Sequence, residues 1–185
     1  WWDDLWLNES FASWMGDKAT DTLFPEWNVW TQFLVNDTSR ALNLDALQNS
    51  HPIEQEVRNP AEIGQLFDAI SYSKGASVIR MLEQFLGVST FQKGIGIYMN
   101  RHRYGNARTE DLWDSLAEAS DQPVAEMMNT WTKQTGFPLL DVEIRQEGRM
   151  IEVNSVQRRF LYTHLLEDQE LDPTIWHIPL TARSS

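Results

Sequence analysis

A carboxylate set among large apolar residues is the first candidate for chemistry in this chain. Glu9 stands in WWDDLWLNESFASWMGDK, flanked by Trp6, Leu7, Phe11 and Ala12. Taking a carboxylate out of water is costly unless a cation or a set of donors compensates it, and a metal ion is one such partner. The plainer alternative is a glutamate in the first turn of a helix, facing solvent. Tyr72, in FDAISYSKGASV, is the second candidate. A tyrosine at a helix start beside Gly75 could act in catalysis, with a packing residue as the plainer reading. Lys74 could touch a substrate or tune that phenol, with a solvated helix lysine as the plainer reading. His51, just before Pro52, has no nearby ligand in the sequence and reads as a loop residue. Arg158 and Arg159 could bind a carboxylate, but they read more simply as an exposed pair.

Several other chemistries are excluded or lack a supporting pattern. The histidines are His51, His102, His164 and His177, and no two are four apart, so the chain has no HExxH and cannot present a two-histidine metal face from its own residues. It has no cysteine, which removes thiolate metal sites, disulfides and a cysteine nucleophile. No G-x-S-x-G elbow and no glycine-rich phosphate loop occur. Nine tryptophans could line a carbohydrate cleft, but the adjacent Asp3 and Asp4 are poorly placed to flank a glycosidic bond. Fifteen basic against 27 acidic residues leave a net charge of −12, which argues against nucleic acid or an anionic membrane surface as partner. No apolar run has the length of a membrane span, and no signal peptide opens the chain. Compartment stays open, with the cytoplasm favoured.

The elements that must position these residues are mostly helical. Leu5, Trp6, Phe11, Ala12, Met15 and Ala19 recur at helical intervals, and Trp27, Trp30, Phe33 and Leu34 mark a second stripe running towards Leu42. Asn43 to Pro60 has no sustained period and reads as a long irregular connection. The segment from Ile63 predicts a helix stopped by Gly87. Ser89 with Gln92 forms a capping-box pattern for a helix over Thr90 to Arg103. Thr109 predicts the cap of the following helix, and Asp121 before Pro123 the start of a short one through Trp131. Beyond Gly136 the period changes to two: LLDVEIRQ and IEVNSVQRRFLY predict a hairpin, and WHIPLTA a third strand. The fold class is therefore mainly α with a C-terminal β portion, divided at about residues 136 and 137. Three strands with no covering layer make an unfinished sheet.

Three separated motifs carry a resemblance. WWDDLWLNESFASWMGDK, then FDAISYSKGASVIRML, then TWTKQTGFPLL closely resemble, in the same order, the zinc aminopeptidases of the gluzincin clan, the family of aminopeptidase N and puromycin-sensitive aminopeptidase. In that family an HExxH helix is followed at a fixed spacing by the glutamate of a W-L-N-E segment. The two histidines and that glutamate hold zinc, and the glutamate inside HExxH activates water. The resemblance implies that Glu9 is the third zinc ligand and that Tyr72, in the intact YSKG, donates a hydrogen bond to the oxyanion of the tetrahedral intermediate. It implies residues 1–136 as the C-terminal helical subdomain of a thermolysin-like catalytic domain, and 137–185 as the first strands of a β-sandwich.

On this reading the chain is a fragment that begins just after the HExxH helix of a peptide-cleaving parent, and is itself inactive. Trp1, Trp2 and Trp6 are then expected to form an uncovered apolar patch through which it could self-associate. The rival reading is a non-catalytic helical interaction module. Ser10 stands where many relatives have glycine. Asn8 and Asn36 open N-x-S/T sequons, the first expected to be buried at the metal site.

Overall fold

The computed structural model describes residues 2–148, 150–165 and 172–181. Helix α1 is Trp6–Leu23, and its buried stripe is Trp6, Ser10 and Trp14, one residue per turn. Met15, expected on that stripe, is exposed. Helices α2 (Val29–Phe33) and α3 (Ser39–Asp45) are joined without a break by a π-helical turn, Leu34–Thr38. A second π-helical turn, Ile70–Lys74, leads directly into α4 (Gly75–Leu86). The helical run therefore starts at Ile70, and the segment just before it, Pro60–Leu66, is 3-10 helix. Gly87 ends α4 at φ +83°, where only glycine sits without strain.

Helices α5 (Val88–Arg101), α6 (Thr109–Ser120) and α7 (Val124–Thr132) complete the helical body. Three local expectations fail here, each for a physical reason. Helix α5 begins at Val88, immediately after Gly87, so Ser89 lies inside the first turn and caps nothing. Asp121 sits at φ 54° as the end of α6 and does not start α7. Thr109 is the first residue of α6, and its amide and hydroxyl both donate to Asp4 Oδ1, at 3.0 and 2.8 Å. One acceptor at this helix N-terminus thus comes from a residue 105 positions away, while Asp111 Oδ2 takes the Arg108 amide at 2.8 Å. Thr109 is itself fully buried, and its hydroxyl accepts the Trp6 indole N–H at 3.0 Å.

That network fixes Trp6 in the core, 1% exposed, with its ring 5.7 Å from that of Trp113. The expected apolar patch is corrected accordingly: Trp6 is buried, Trp2 is exposed, and Trp1 lies outside the described residues. Trp14 packs against Phe91 in the same core.

Beyond the helices, β1 (Pro138–Glu147) and β2 (Met150–Arg159) pair antiparallel, with Pro138 opposite Arg159 and Glu147 opposite Met150. The root of the ribbon is half-buried, while Val142, Ile144, Ile151 and Val153 lie exposed on one face. The expected third strand is absent among the described residues. The backbone at its start bonds instead to side chains: Trp176 exchanges two hydrogen bonds with the Gln157 amide, and His177 bonds Trp131 and Thr130.

Helix α1 crosses the start of α4 at Ser10 and Gly75. A Cβ at Gly75 would overlap Ser10 Oγ and stand 2.9 Å from Ser10 Cβ. Gly75→Ala is therefore expected to destabilise the chain by about 1–3 kcal/mol, the usual cost of overpacking. Adding Ser10→Gly should recover most of the loss. Urea unfolding of the single and double variants measures both, and losses that simply add would contradict the crossing.

Candidate functional site

The crossing brings the two candidate residues together. Glu9 lies in the first turn of α1, half-buried, and Tyr72 is the middle residue of the turn Ile70–Lys74. Between them Ser10 Oγ donates to the Ser71 carbonyl at 2.6 Å in a fully buried position. Each candidate is thus one residue from the same cross-link. Glu9 acts on the Tyr72 phenol across this cross-link: its hydrogen-bonding influence first, then loss of solvent and its negative charge, push the phenol's pKa up. The phenol is therefore neutral at physiological pH. Ser10, where many relatives of the resembled family have glycine, is therefore a structural tie and not an idle neighbour.

The turn itself is held from several sides. Asp68 Oδ1 accepts the amides of Ile70 and Ser71 at 2.9 and 3.2 Å, and the Asp68 carbonyl accepts the Tyr72 amide at 3.1 Å. Ser73 Oγ donates to Asp37 Oδ1 at 2.9 Å, and Thr38 and Ser77 share a 3.0 Å hydroxyl contact, so the two π-helical turns are pinned to each other. Turns of this kind are frequent at functional sites.

Lys74 corrects its plain reading. It is 5% exposed, not solvated, and its ammonium forms a 2.8 Å ion pair with buried Asp45. It also donates to the Gly136 carbonyl at 3.0 Å, while Asp45 Oδ1 accepts the Gly136 amide at 2.9 Å. Burial pulls the Lys74 pKa down and Asp45 resists it. The side chain therefore points to the junction before β1 rather than into the site, and ties that junction to the helical body. His51 sits in a loop as expected, but it has partners: Nε2 lies 2.9 Å from Asp68 Oδ2 and Nδ1 2.8 Å from the Pro52 carbonyl. Arg159 pairs with Asp172 at 2.9 Å and is mostly buried, whereas Arg158 stays at the surface. Asn8 is exposed, against expectation; the buried member of its sequon is Ser10.

Two concavities lie elsewhere. One of about 590 Å³ is lined by Asp4, Leu7, Asn8, Tyr98, His102 and Tyr104 among others, and touches α1 one residue before Glu9. A smaller one of about 140 Å³ lies over Asp45, Lys74 and Phe137. A carboxylate is a donor that zinc accepts. Among the described residues, however, no group of three or more His, Asp or Glu converges to hold a metal ion.

Sequence reasoning missed Asp68, Asp45 and the partners of His51. Asp68 had a readable signal, an aspartate two residues before a helical run; the Lys74–Asp45 pair spans 29 positions with no local pattern.

Residues 1–131 match the Peptidase family M1 domain. The chain is 48% identical over 185 residues to the alanine/arginine aminopeptidase of Saccharomyces cerevisiae, covering 100% of this chain and 21% of that protein. It is 49% identical over 181 residues to aminopeptidase M1-D of Oryza sativa, covering 98% and 20%. It is 52% identical over 161 residues to aminopeptidase M1 of Arabidopsis thaliana, covering 87% and 18%. The chain spans about a fifth of the length of these relatives. No helix among the described residues is long and apolar enough to cross a membrane.

The influence of Glu9 on the Tyr72 phenol has a direct readout. Followed by ¹³Cζ-tyrosine NMR, Tyr72 is expected to ionise above the ordinary value of about 10. Glu9→Gln should bring it back down towards that value. A midpoint that Glu9→Gln leaves unchanged would contradict that influence.

Proposed function

The chain belongs to peptidase family M1, and from that premise we propose that it forms part of the catalytic domain of a zinc aminopeptidase, with Glu9 as one metal ligand and Tyr72 as donor to the reacting oxygen. The observation that carries the reading is the buried Ser10–Ser71 hydrogen bond, which holds Glu9 and Tyr72 one residue to either side of the same crossing. A neutral phenol near such a carboxylate would be suited to donating to a substrate oxygen that gains negative charge.

The gene product containing this chain removes N-terminal residues from peptides. The peptide is its substrate, and the remaining zinc ligands come from residues outside this sequence. The chain's own contributions are an anionic donor in the first turn of α1 and a neutral phenol whose proton is kept in place by a raised pKa. Preorganisation matters here because a donor that need not reorient stabilises the transition state without a reorganisation cost. With one ligand available, the 185-residue chain alone is inactive and binds zinc weakly.

The same reading divides the chain at residues 136 and 137. Residues 1–136 are the helical part of a thermolysin-like domain, and 137–185 begin a β-sandwich. The exposed face formed by Val142, Ile144, Ile151 and Val153 supports this division, since a sandwich strand buries one face against a second sheet. It is also the surface through which the isolated chain would self-associate, in place of the tryptophan patch.

Kinetics on the gene product with aminoacyl-anilide substrates test the assignment. Tyr72→Phe should lower kcat by about 10²–10³-fold with KM little changed, as for loss of one oxyanion donor. Glu9→Ala should release the metal, read by zinc content. A Tyr72→Phe variant with full activity, or a Glu9→Ala variant that keeps its zinc, would sink the corresponding role.

A further inference from the structure

His51 has both ring nitrogens engaged by acceptors. Nδ1 faces the Pro52 carbonyl oxygen at 2.8 Å, and Nε2 faces Asp68 Oδ2 at 2.9 Å. A carbonyl oxygen and a carboxylate can only accept, so both nitrogens must donate. Only the imidazolium has a proton on each. The charge state follows from the contacts.

The acceptor of that charge is the residue that sets the Tyr72 turn. While Asp68 Oδ2 takes the imidazolium, Oδ1 takes the amides of Ile70 and Ser71, the first N–H groups of the helical run. Such groups have no partner within their own helix, so the residue that satisfies them fixes where the helix begins. Tyr72 follows directly, its own amide bonded to the Asp68 carbonyl. A neutral imidazole has one N–H for two acceptors. Losing the proton therefore sets either the Pro52 carbonyl or the Asp68 carboxylate against a ring lone pair, and releases one side of the bridge.

We propose that His51 is a positioning residue for Tyr72: its imidazolium clamps the Asp68 carboxylate to the Pro52 loop, and through Asp68 fixes the turn that carries the phenol. The inference rests on the preceding reading only where Tyr72 acts on a reacting oxygen; the clamp itself is independent of it.

Two charges bear on the ring. Asp68 holds the proton, through its hydrogen bond above all, while partial burial and the Lys74 ammonium oppose it; the net effect raises the His51 pKa. Asp68 is correspondingly lowered, its burial outweighed by the bonds it accepts from His51, Ser71 and Ile70. A folded-state pKa above the unfolded value of about 6.5 means that the clamp is fully present below that value. It is lost as pH rises through the folded-state pKa.

The test is NMR on the chain labelled with ¹⁵N-histidine and ¹³Cζ-tyrosine. At pH 6 both ring nitrogens of His51 should be protonated. On raising the pH, the Tyr72 resonance should step as His51 loses its proton, well before Tyr72 ionises. In His51→Gln that first step should vanish, and in Asp68→Asn it should move to lower pH. In the gene product, His51→Gln should lower kcat by about 10- to 100-fold with KM unchanged, the scale expected of a small misplacement. A His51 ring with one protonated nitrogen at pH 6 overturns the proposal, and so does a Tyr72 resonance that stays flat through the His51 titration. The NMR arm needs no activity, so a gene product without peptidase activity sinks the preceding reading and not the clamp.

Discussion

Everything around the site depends on how closely α1 approaches the turn before α4. The approach is possible because position 75 has no side chain and position 10 has a small one whose hydroxyl finds the Ser71 carbonyl. Burying a serine costs free energy unless its hydroxyl is bonded. Here the same bond that satisfies it sets the spacing between the two elements. Glu9 and Tyr72 flank this cross-link, so their separation is governed by backbone packing more than by their own rotamers.

Around this contact the fold uses long-range polar ties where local patterns would not suffice. Asp4 caps α6, Thr109 links it to the Trp6 indole, and the Lys74–Asp45 pair grips the Gly136 peptide on both its amide and its carbonyl. A buried ion pair rarely adds stability over apolar packing, because desolvation offsets the attraction. Its value here is geometric. Lys74 and Tyr72 share one π-helical turn, so the residue anchoring the root of the β ribbon and the phenol that Glu9 influences are held by the same five-residue segment.

The sequence made the helical body and the hairpin legible through periodicity, and the two candidate residues through their motifs. Periodicity reports which residues recur at helical intervals, and it located α4, whose buried apolar residues are Ala76, Val78, Ile79 and Leu82. It failed for the α1 stripe, where the buried position between Trp6 and Trp14 is a serine. Capping patterns failed at Ser89 and Thr109 because a cap is an acceptor in space: Thr109 bonds to Asp4, and the local acceptor of α6 is Asp111, which takes the Arg108 amide. Alternation at WHIPLTA suggested a strand, but a strand needs a neighbour, and the backbone of Trp176 and His177 bonds to the side chains of Gln157, Trp131 and Thr130 instead. His51 showed only as a loop histidine, because its role is written in contacts 17 positions away.

The central claim is that Glu9 and Tyr72 face one catalytic metal. The most direct measurement is a crystal structure of the gene product that contains this chain, with anomalous scattering recorded on both sides of the zinc edge. The account predicts a zinc peak with a Glu9 carboxylate oxygen about 2.0–2.2 Å away, and the Tyr72 hydroxyl directed to the open side of the metal. A zinc peak whose ligands do not include Glu9, or a Tyr72 side chain turned away from it, would contradict the account.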